Sequence, residues 1–415
     1  MTRIALHTQG CKLNQAETEA LARRLWADGY QVVPLSQPAD AYLLNTCTVT
    51  STADAKARQY LRRAARLQPD ALLAATGCYA RRRPEELSGI TGVRAVAGHD
   101  TMSGFTKMLR EHGLYPMGGL AAPPPLRTRA MVKIQSGCSM GCRYCIVPAV
   151  RGRGRSRAPD EVMAEVTERV AEGHQEVVLT GTHIGSYRWD GMDLVGLIGQ
   201  MLAASTVARI RLTSLQPADL TPRLLYLWRS VGEGRLCPHL HLPLQSGSGT
   251  VLEGMGRPYI TDTYSRAISL ARETVPGLAV TTDVMVGFPG EGEAEFQESL
   301  RFCREAGFAR MHVFPYSPRP GTPAASMPQV DRHTTDRRAR LMLAEASNLS
   351  QRYERGHVGQ VVPVLWEREA FPGVWSGLAS GYLRAFTRSY RPLWGAITPA
   401  RLESPAPGGL WATIL

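Results

Sequence analysis

Three short apolar runs near the amino terminus each close on a cysteine: RIALHTQGC at Cys11, AYLLNTC at Cys47 and ALLAATGC at Cys78. Helix-compatible stretches follow the first two, near residues 14–28 and 52–67. Strand and helix in repeated alternation predict a parallel α/β sheet. Ligands of such sheets sit beyond the carboxyl ends of the strands. Three thiols far apart in sequence are therefore expected along one sheet edge. Their spacing matches no short motif, so spacing alone leaves open three unrelated buried cysteines.

After GGLAAPPPLRTRA at 118–130, a Gly-, Pro- and Ala-rich stretch that reads as a linker, the alternation resumes. Strand candidates are AMVKIQ, EVVLTG, RIRLTS, HLHLPL, LAVTTDVMVG and ARMHVFPYS, with helix candidates at 159–173, 192–204, 262–274 and 293–306. About six β/α units predict a full or partial barrel with chemistry at the carboxyl ends of its strands. A helix near 334–355 closes this unit. The tail then offers five short strand candidates, QVVPVLWER, GVWSGLAS, GYLRAFTRS, GAITPARLE and LWATIL, which fit a small antiparallel barrel of OB-like type. The expected division is an α/β domain at 1–120, a linker at 121–130, a (β/α) barrel at 131–352 and the small β-barrel at 353–415.

The first barrel strand is followed by IQSGCSMGCRYCIVPAVRGRGRSR, which places Cys138, Cys142 and Cys145 in a C-x3-C-x2-C cluster. A closed structural zinc site takes four protein ligands. Three thiolates suit a [4Fe–4S] cluster whose fourth iron stays open for another ligand. Cys237 and Cys303 lie in no C-x2-C pair and are expected in the core. A metal-stabilised RNA-binding protein that uses zinc is the competing reading. Tyr144 is placed to wall a planar ligand.

The chain of 415 residues carries 48 basic against 36 acidic residues, a net charge of +12 that points to a polyanionic partner such as nucleic acid. No apolar run approaches the roughly 20 residues of a membrane span, and the amino terminus lacks a signal-peptide pattern. The expectation is a cytoplasmic protein with reduced thiols and no membrane association.

These stretches resemble the radical S-adenosylmethionine methylthiotransferases. The C-x3-C-x-aromatic-C run is similar to the superfamily signature, and TQGCKLNQAET, NTCTVT and TGCYA resemble the three cysteine segments of the family's N-terminal domain. HLHLPLQSGSGTVLEGMGRPY, TTDVMVGFPGEGEAEF and FPYSPRPGTPAA resemble its central barrel, and the tail resembles its RNA-binding TRAM domain. VVLTGTHIGSY at 177–187 looks like the branch acting on N6-threonylcarbamoyladenosine in tRNA, and departs from the GQNVNSY-like stretch of the isopentenyladenosine branch. A third branch modifies an aspartate of a ribosomal protein.

The resemblance implies two [4Fe–4S] clusters and S-adenosylmethionine. Cys138, Cys142 and Cys145 would hold the radical-generating cluster, and Cys11, Cys47 and Cys78 a second cluster carrying the inserted sulfur. Thr180 and Gly181 become candidates for the methionine amino group. Arg211 and Ser214 are candidates for the cofactor carboxylate or ribose, and Gln245 and Asp283 are expected at the same mouth, with Tyr144 beside them. No residue is singled out as a catalytic acid or base. The arginine run at 151–157 has three readings: contact with tRNA phosphates, contact with the cofactor, or a solvated loop; Arg151, Arg153 and Arg155 are candidates to pair with the substrate's carboxylate. The implied partners are a tRNA anticodon stem-loop, an electron donor and a sulfur source.

Overall fold

The computed structural model describes residues 2–98, 104–116, 118, 127–230 and 234–415. Most of the expected linker, residues 121–126, lies outside the described residues.

The N-terminal sheet has five parallel strands, β1 (Arg3–Thr8), β2 (Gln31–Val33), β3 (Ala41–Thr46), β4 (Leu72–Gly77) and β5 (Val93–Val96), in the order β2-β1-β3-β4-β5. The three expected strands are β1, β3 and β4. Strands β2 and β5 are only three and four residues long, too short to carry a periodic signal. Every residue of β3 and β4 is buried, as in a parallel sheet covered on both faces. Helices α1 (Lys12–Ala27), α2 (Ser51–Leu67) and α3 (Cys78–Arg82) follow β1, β3 and β4. The strand order reverses beside β1, so β1 and β3 flank the switch point where doubly wound sheets open a crevice. Cys11 and Cys47 leave the sheet there, and Cys78 leaves one strand further on.

The central unit holds six parallel strands: β6 (Arg129–Lys133), β7 (Glu176–Thr180), β8 (Arg209–Leu212), β9 (His239–His241), β10 (Ala279–Val286) and β11 (Arg310–Pro315). They form two arcs, β8-β7-β6 and β9-β10-β11, joined by a parallel bridge from Ile210 to Leu236 and by the Leu215 N–H donating to His241 O at 3.2 Å. The barrel is therefore partial. Alternate residues such as Val132, Leu179, Leu212 and Val284 turn outward into one large core under the helices. The inner face is closed elsewhere. Ala16 of α1 packs with Met131 and Val178 on that face, and Lys133 reaches Glu17 at 3.2 Å. The N-terminal domain thus covers the open side of the half-barrel.

Helix α4 (Val147–Arg151) belongs to the cysteine loop, and helix α5 (Arg332–Arg355) leads into the tail. The tail is a closed barrel of five strands, β12 (Val361–Phe371), β13 (Val374–Ala379), β14 (Arg384–Arg388), β15 (Ile397–Ala406) and β16 (Gly409–Ile414), in the order β12-β13-β14-β16-β15. One pairing, β14 with β16, is parallel, whereas an antiparallel barrel was expected. A ring with an odd number of strands cannot alternate direction at every step, so one parallel seam is required. Trp366 fills the core and donates its indole N–H to Thr398 Oγ1 at 2.8 Å.

This barrel plugs the amino-terminal end of the half-barrel. Arg209 donates to the carbonyl of Pro363 at 2.7 Å and Arg211 to that of Ser380 at 3.0 Å. Tyr382 stacks on His239 with ring centroids 4.1 Å apart.

Candidate active site

The carboxyl ends of the N-terminal sheet and of the half-barrel face each other across one cavity of about 330 Å³. All six clustered cysteines line it. Cys237 and Cys303 do not; both are fully buried in cores, as expected.

Local chemistry explains how each trio is presented. Cys11 caps α1, and its thiol donates to Asn14 Oδ1 at 3.1 Å. Asn14 is itself buried and donates to Asn45 Oδ1 at 2.8 Å, which ties the Cys11 turn to the end of β3. Gly77 precedes Cys78 with φ +95°, and a Cβ there would lie 2.4 Å from both Asn45 Oδ1 and the Thr46 carbonyl. Only glycine lets the third cysteine close on the other two. In the second trio, the Cys138 N–H donates to Gly152 O at 3.0 Å, folding the arginine-rich segment back over the cysteine loop.

Burial pushes the Cys47 thiol up to about 12 and Cys145 up to about 11, and it raises Cys78 and Cys138 as well. Unliganded, these are thiols at neutral pH, and binding a metal centre must release their protons. Among the described residues, no three His, Cys, Asp or Glu side chains are grouped so that they could hold a single metal ion. The donor set fits an iron–sulfur cube better, because the cube's cysteines bind separate irons and stand apart around it.

The remaining sequence candidates divide. Tyr144, Gly181, Ser214, Gln245 and Asp283 all line the cavity. Ser214 and Gln245 hold left-handed backbone at φ +48° and φ +68°, rare for residues with side chains and common where a site is held under strain. Gln245 Oε1 is buried with no partner. Burial alone would raise the Asp283 carboxyl, yet hydrogen bonds from His241 at 3.3 Å and His312 at 3.2 Å hold it well below the usual carboxylate range.

Two candidates do not reach the cavity. Thr180 is buried within the sheet, and the next residues, Gly181 and Thr182, take the cavity wall. Arg211 sits on the inner face one residue from the carboxyl end of β8, but its guanidinium turns back towards the amino-terminal end, fully buried against Glu176 at 2.7 Å and against the tail barrel. Its charge is consumed by a structural pair, so it cannot serve a ligand at the mouth.

The arginine run also departs from expectation. Arg151 is buried: its two terminal nitrogens bond Glu17 at 2.8 and 3.0 Å, and its Nε donates to Cys78 Sγ at 3.2 Å. Arg157 is spent on Glu165 at 2.6 Å. Arg153 and Arg155 are exposed.

Further cavity residues were not among the named site candidates, although His183 lies in the VVLTGTHIGSY stretch that marked the branch. Arg257 bonds Gln216, the Tyr259 hydroxyl at 2.8 Å and Cys142 Sγ at 3.3 Å. His183 pairs with Asp219 at 2.7 Å, across 36 residues of sequence.

A family model described as uncharacterized protein family UPF0004 matches residues 3–98, and the Radical SAM superfamily model matches residues 132–303. Among solved structures, the radical S-adenosylmethionine methyltransferase TsrM from Kitasatospora setae is similar in fold, with TM-score 0.56 and 16% identity over 78% of this chain and 77% of that one. Fold and cavity together define a radical S-adenosylmethionine enzyme. The chain is 37% identical to the threonylcarbamoyladenosine tRNA methylthiotransferase MtaB of Bacillus subtilis (strain 168), over 97% of this chain and 94% of that protein. It is 35% identical to the same-named protein of Aquifex aeolicus (strain VF5), over 82% of this chain and 87% of that one. A tRNA-2-methylthio-N(6)-dimethylallyladenosine synthase of Geobacillus kaustophilus (strain HTA426) is 33% identical over 89% of this chain and 73% of that protein. The chain belongs to the methylthiotransferase family of radical S-adenosylmethionine enzymes, in the threonylcarbamoyladenosine branch.

Proposed function

We propose that this protein inserts a methylthio group at carbon 2 of N6-threonylcarbamoyladenosine beside the anticodon of tRNA. The observation that carries this reading is the convergence of two separate cysteine trios on one cavity. Cys138, Cys142 and Cys145 would hold the cluster that works with S-adenosylmethionine, and Cys11, Cys47 and Cys78 the cluster that works with the transferred sulfur. When bound, these groups supply radical generation, sulfur and methyl.

The chain supplies placement. Gly181, Ser214, Gln245 and Asp283 line the cavity at the mouth of the half-barrel and would meet the polar groups of S-adenosylmethionine. Tyr144, packed edge-on to Phe288 at 6.4 Å, walls the same space. Apolar side chains such as Leu13, Val147, Val150 and Met285 line the rest. They would exclude water from the space where the bound groups and the substrate base meet. A loop adenine can be unstacked into such a cavity at lower cost than a duplex base. Turnover also needs a one-electron reductant and a sulfur source.

Anaerobically reconstituted protein, offered tRNA bearing either the threonylcarbamoyl or the isopentenyl modification, is expected to methylthiolate the former, as read by nucleoside mass spectrometry. Product from the isopentenyl tRNA alone, or from a ribosomal protein and neither tRNA, would overturn the assignment. Colourless protein without iron would favour the zinc-stabilised RNA-binding alternative.

A further inference from the structure

We propose that His183, held by Asp219 and given room by Gly185, is the side chain that selects a polar substituent on the substrate adenine; this rests on the tRNA reading above. His183 lines the cavity on the segment that follows β7. Its Nε2 lies 2.7 Å from Asp219 Oδ2, and both side chains are 15% exposed. Among the described residues, its Nδ1 takes no hydrogen bond. One ring nitrogen is thus anchored while the other is left for a ligand.

The anchor is built with unusual care. Asp219 Oδ2 also accepts the Gln216 N–H at 2.7 Å, which fixes the carboxylate at the head of a short turn, Pro217–Asp219. That carboxylate occupies the space of a missing side chain. A Cβ on Gly185 would lie 2.0 Å from both Asp219 Cγ and Oδ2. Any residue larger than glycine at 185 must expel Asp219 and release His183. Gly185 has an ordinary negative φ, so glycine is not required there by backbone conformation. Its smallness serves the close approach of Asp219.

The other strong donors of the cavity are engaged. Arg257 is bound to Gln216, Tyr259 and Cys142, Arg151 to Glu17 and Cys78, and His241 to Thr281 and Asp283. Gln245 Oε1 and the Tyr316 hydroxyl are also without partners among the described residues, but His183 is the one of the three that a carboxylate held on the opposite ring nitrogen orients, leaving Nδ1 for a substrate group. A threonylcarbamoyl group offers an amide, a hydroxyl and a carboxylate; an isopentenyl group offers only hydrocarbon. A site that hydrogen-bonds one substituent discriminates strongly against an analogue lacking it, because the protein group is then left unpaired.

The experiment compares anticodon stem-loop RNAs carrying either substituent, using full-length reconstituted wild type, His183→Ala, Asp219→Asn and Gly185→Ala. The reading is kcat/KM for methylthiolated product on each RNA, with iron content and RNA-independent cleavage of S-adenosylmethionine measured alongside. All three variants are expected to keep iron and cofactor cleavage, and to lose roughly 10- to 100-fold in preference for the threonylcarbamoyl RNA. Gly185→Ala should match His183→Ala although residue 185 does not line the cavity. Should Gly185→Ala fail to fold, His183→Ala decides alone. Variants that retain the wild-type preference would overturn the role of His183 while leaving the substrate reading intact. A wild type that modifies only the isopentenyl RNA, or neither, would overturn both.

Discussion

Arg151 donates from Nε to Cys78 Sγ at 3.2 Å while gripping Glu17 with both terminal nitrogens, and Arg151 and Glu17 are only 3% and 5% exposed. Arg151 ends the loop that carries the second cysteine trio, and Glu17 and Cys78 belong to the N-terminal domain. One buried pair therefore joins the two halves of the site. Removing one partner of such a pair strands the other charge in a low dielectric, at about 3–5 kcal/mol. Arg151→Ala is expected to lower the unfolding free energy by that amount, read as a lower denaturant midpoint at unchanged slope, and the Arg151→Ala, Glu17→Gln double variant to recover part of it. An unchanged midpoint in Arg151→Ala would show that the pair does not couple the domains.

The two cysteine trios should have separable jobs. Cys142→Ala is expected to lose about half the iron and all production of 5′-deoxyadenosine, because three thiolates are the full protein ligand set of one cluster. Cys47→Ala should lose a similar share of iron yet still cleave S-adenosylmethionine, and form no methylthiolated product. Iron analysis with chromatography of both products separates these outcomes. Unchanged 5′-deoxyadenosine in Cys142→Ala would remove the radical assignment from this trio.

Much of this architecture was legible because its signals are local. The cysteines at the ends of apolar runs marked strand ends, and the three corresponding strands are the longest of the N-terminal sheet. The six barrel strands and the five tail strands were likewise set by runs bounded with Gly, Pro or Ser. What escaped was long-range pairing. Arg211 ends an apolar strand candidate and looks poised for a ligand, but whether it faces the mouth or the plugged end depends on Glu176, on a neighbouring strand, and on the tail barrel. Arg151 sits in a run of alternating Arg and Gly that suggests solvated charge, and only the docking of α1 brings Glu17 to it. His183 and Asp219 share no spacing rule. Their contact exists because β7 and β8 lie side by side in parallel, with the loops beyond them adjacent.

Stability should respond to pH through Glu19, at the contact between α1 and β6. Burial pushes its carboxyl up to about 7, only partly opposed by the nearby Arg127 guanidinium at 3.0 Å. A carboxyl raised in the folded state contributes stability that is full below its unfolded value, about 4.3, and is lost as pH rises through 7. Above that range the ionised group costs about 3 kcal/mol. Glu19→Gln is expected to gain about that much stability at pH 8 and little at pH 4, measured by urea unfolding at both values. Equal gains at the two pH values would place the effect in packing and not in ionisation.

The tail barrel is expected to bind RNA through one exposed stretch. Deleting residues 356–415 cannot test this cleanly, because the deletion would uncover Arg211 and Glu176, which are fully buried. Arg384 is a poor probe as well, since it pairs with Glu367 at 3.4 Å. Arg388 and Arg391 are exposed, and between and beyond them Tyr390 is fully exposed and Trp394 is 46% exposed. Arginines interleaved with accessible aromatic rings suit phosphates and unstacked bases together. Each phosphate contact releases counterions and adds roughly 0.7–0.9 to the slope of log affinity against log salt. The Arg388→Ala, Arg391→Ala double variant is therefore expected to weaken tRNA binding at low salt and to flatten that slope by about 1–2. Tyr390→Ala should weaken binding by about 1–3 kcal/mol with the slope unchanged, since stacking neutralises no phosphate. Iron content and cofactor cleavage should stay at wild-type levels in both, because none of these side chains lines the cavity. Wild-type affinity and salt slope in both variants would move the RNA contact off this surface, towards the exposed Arg153 and Arg155 beside the cysteine loop.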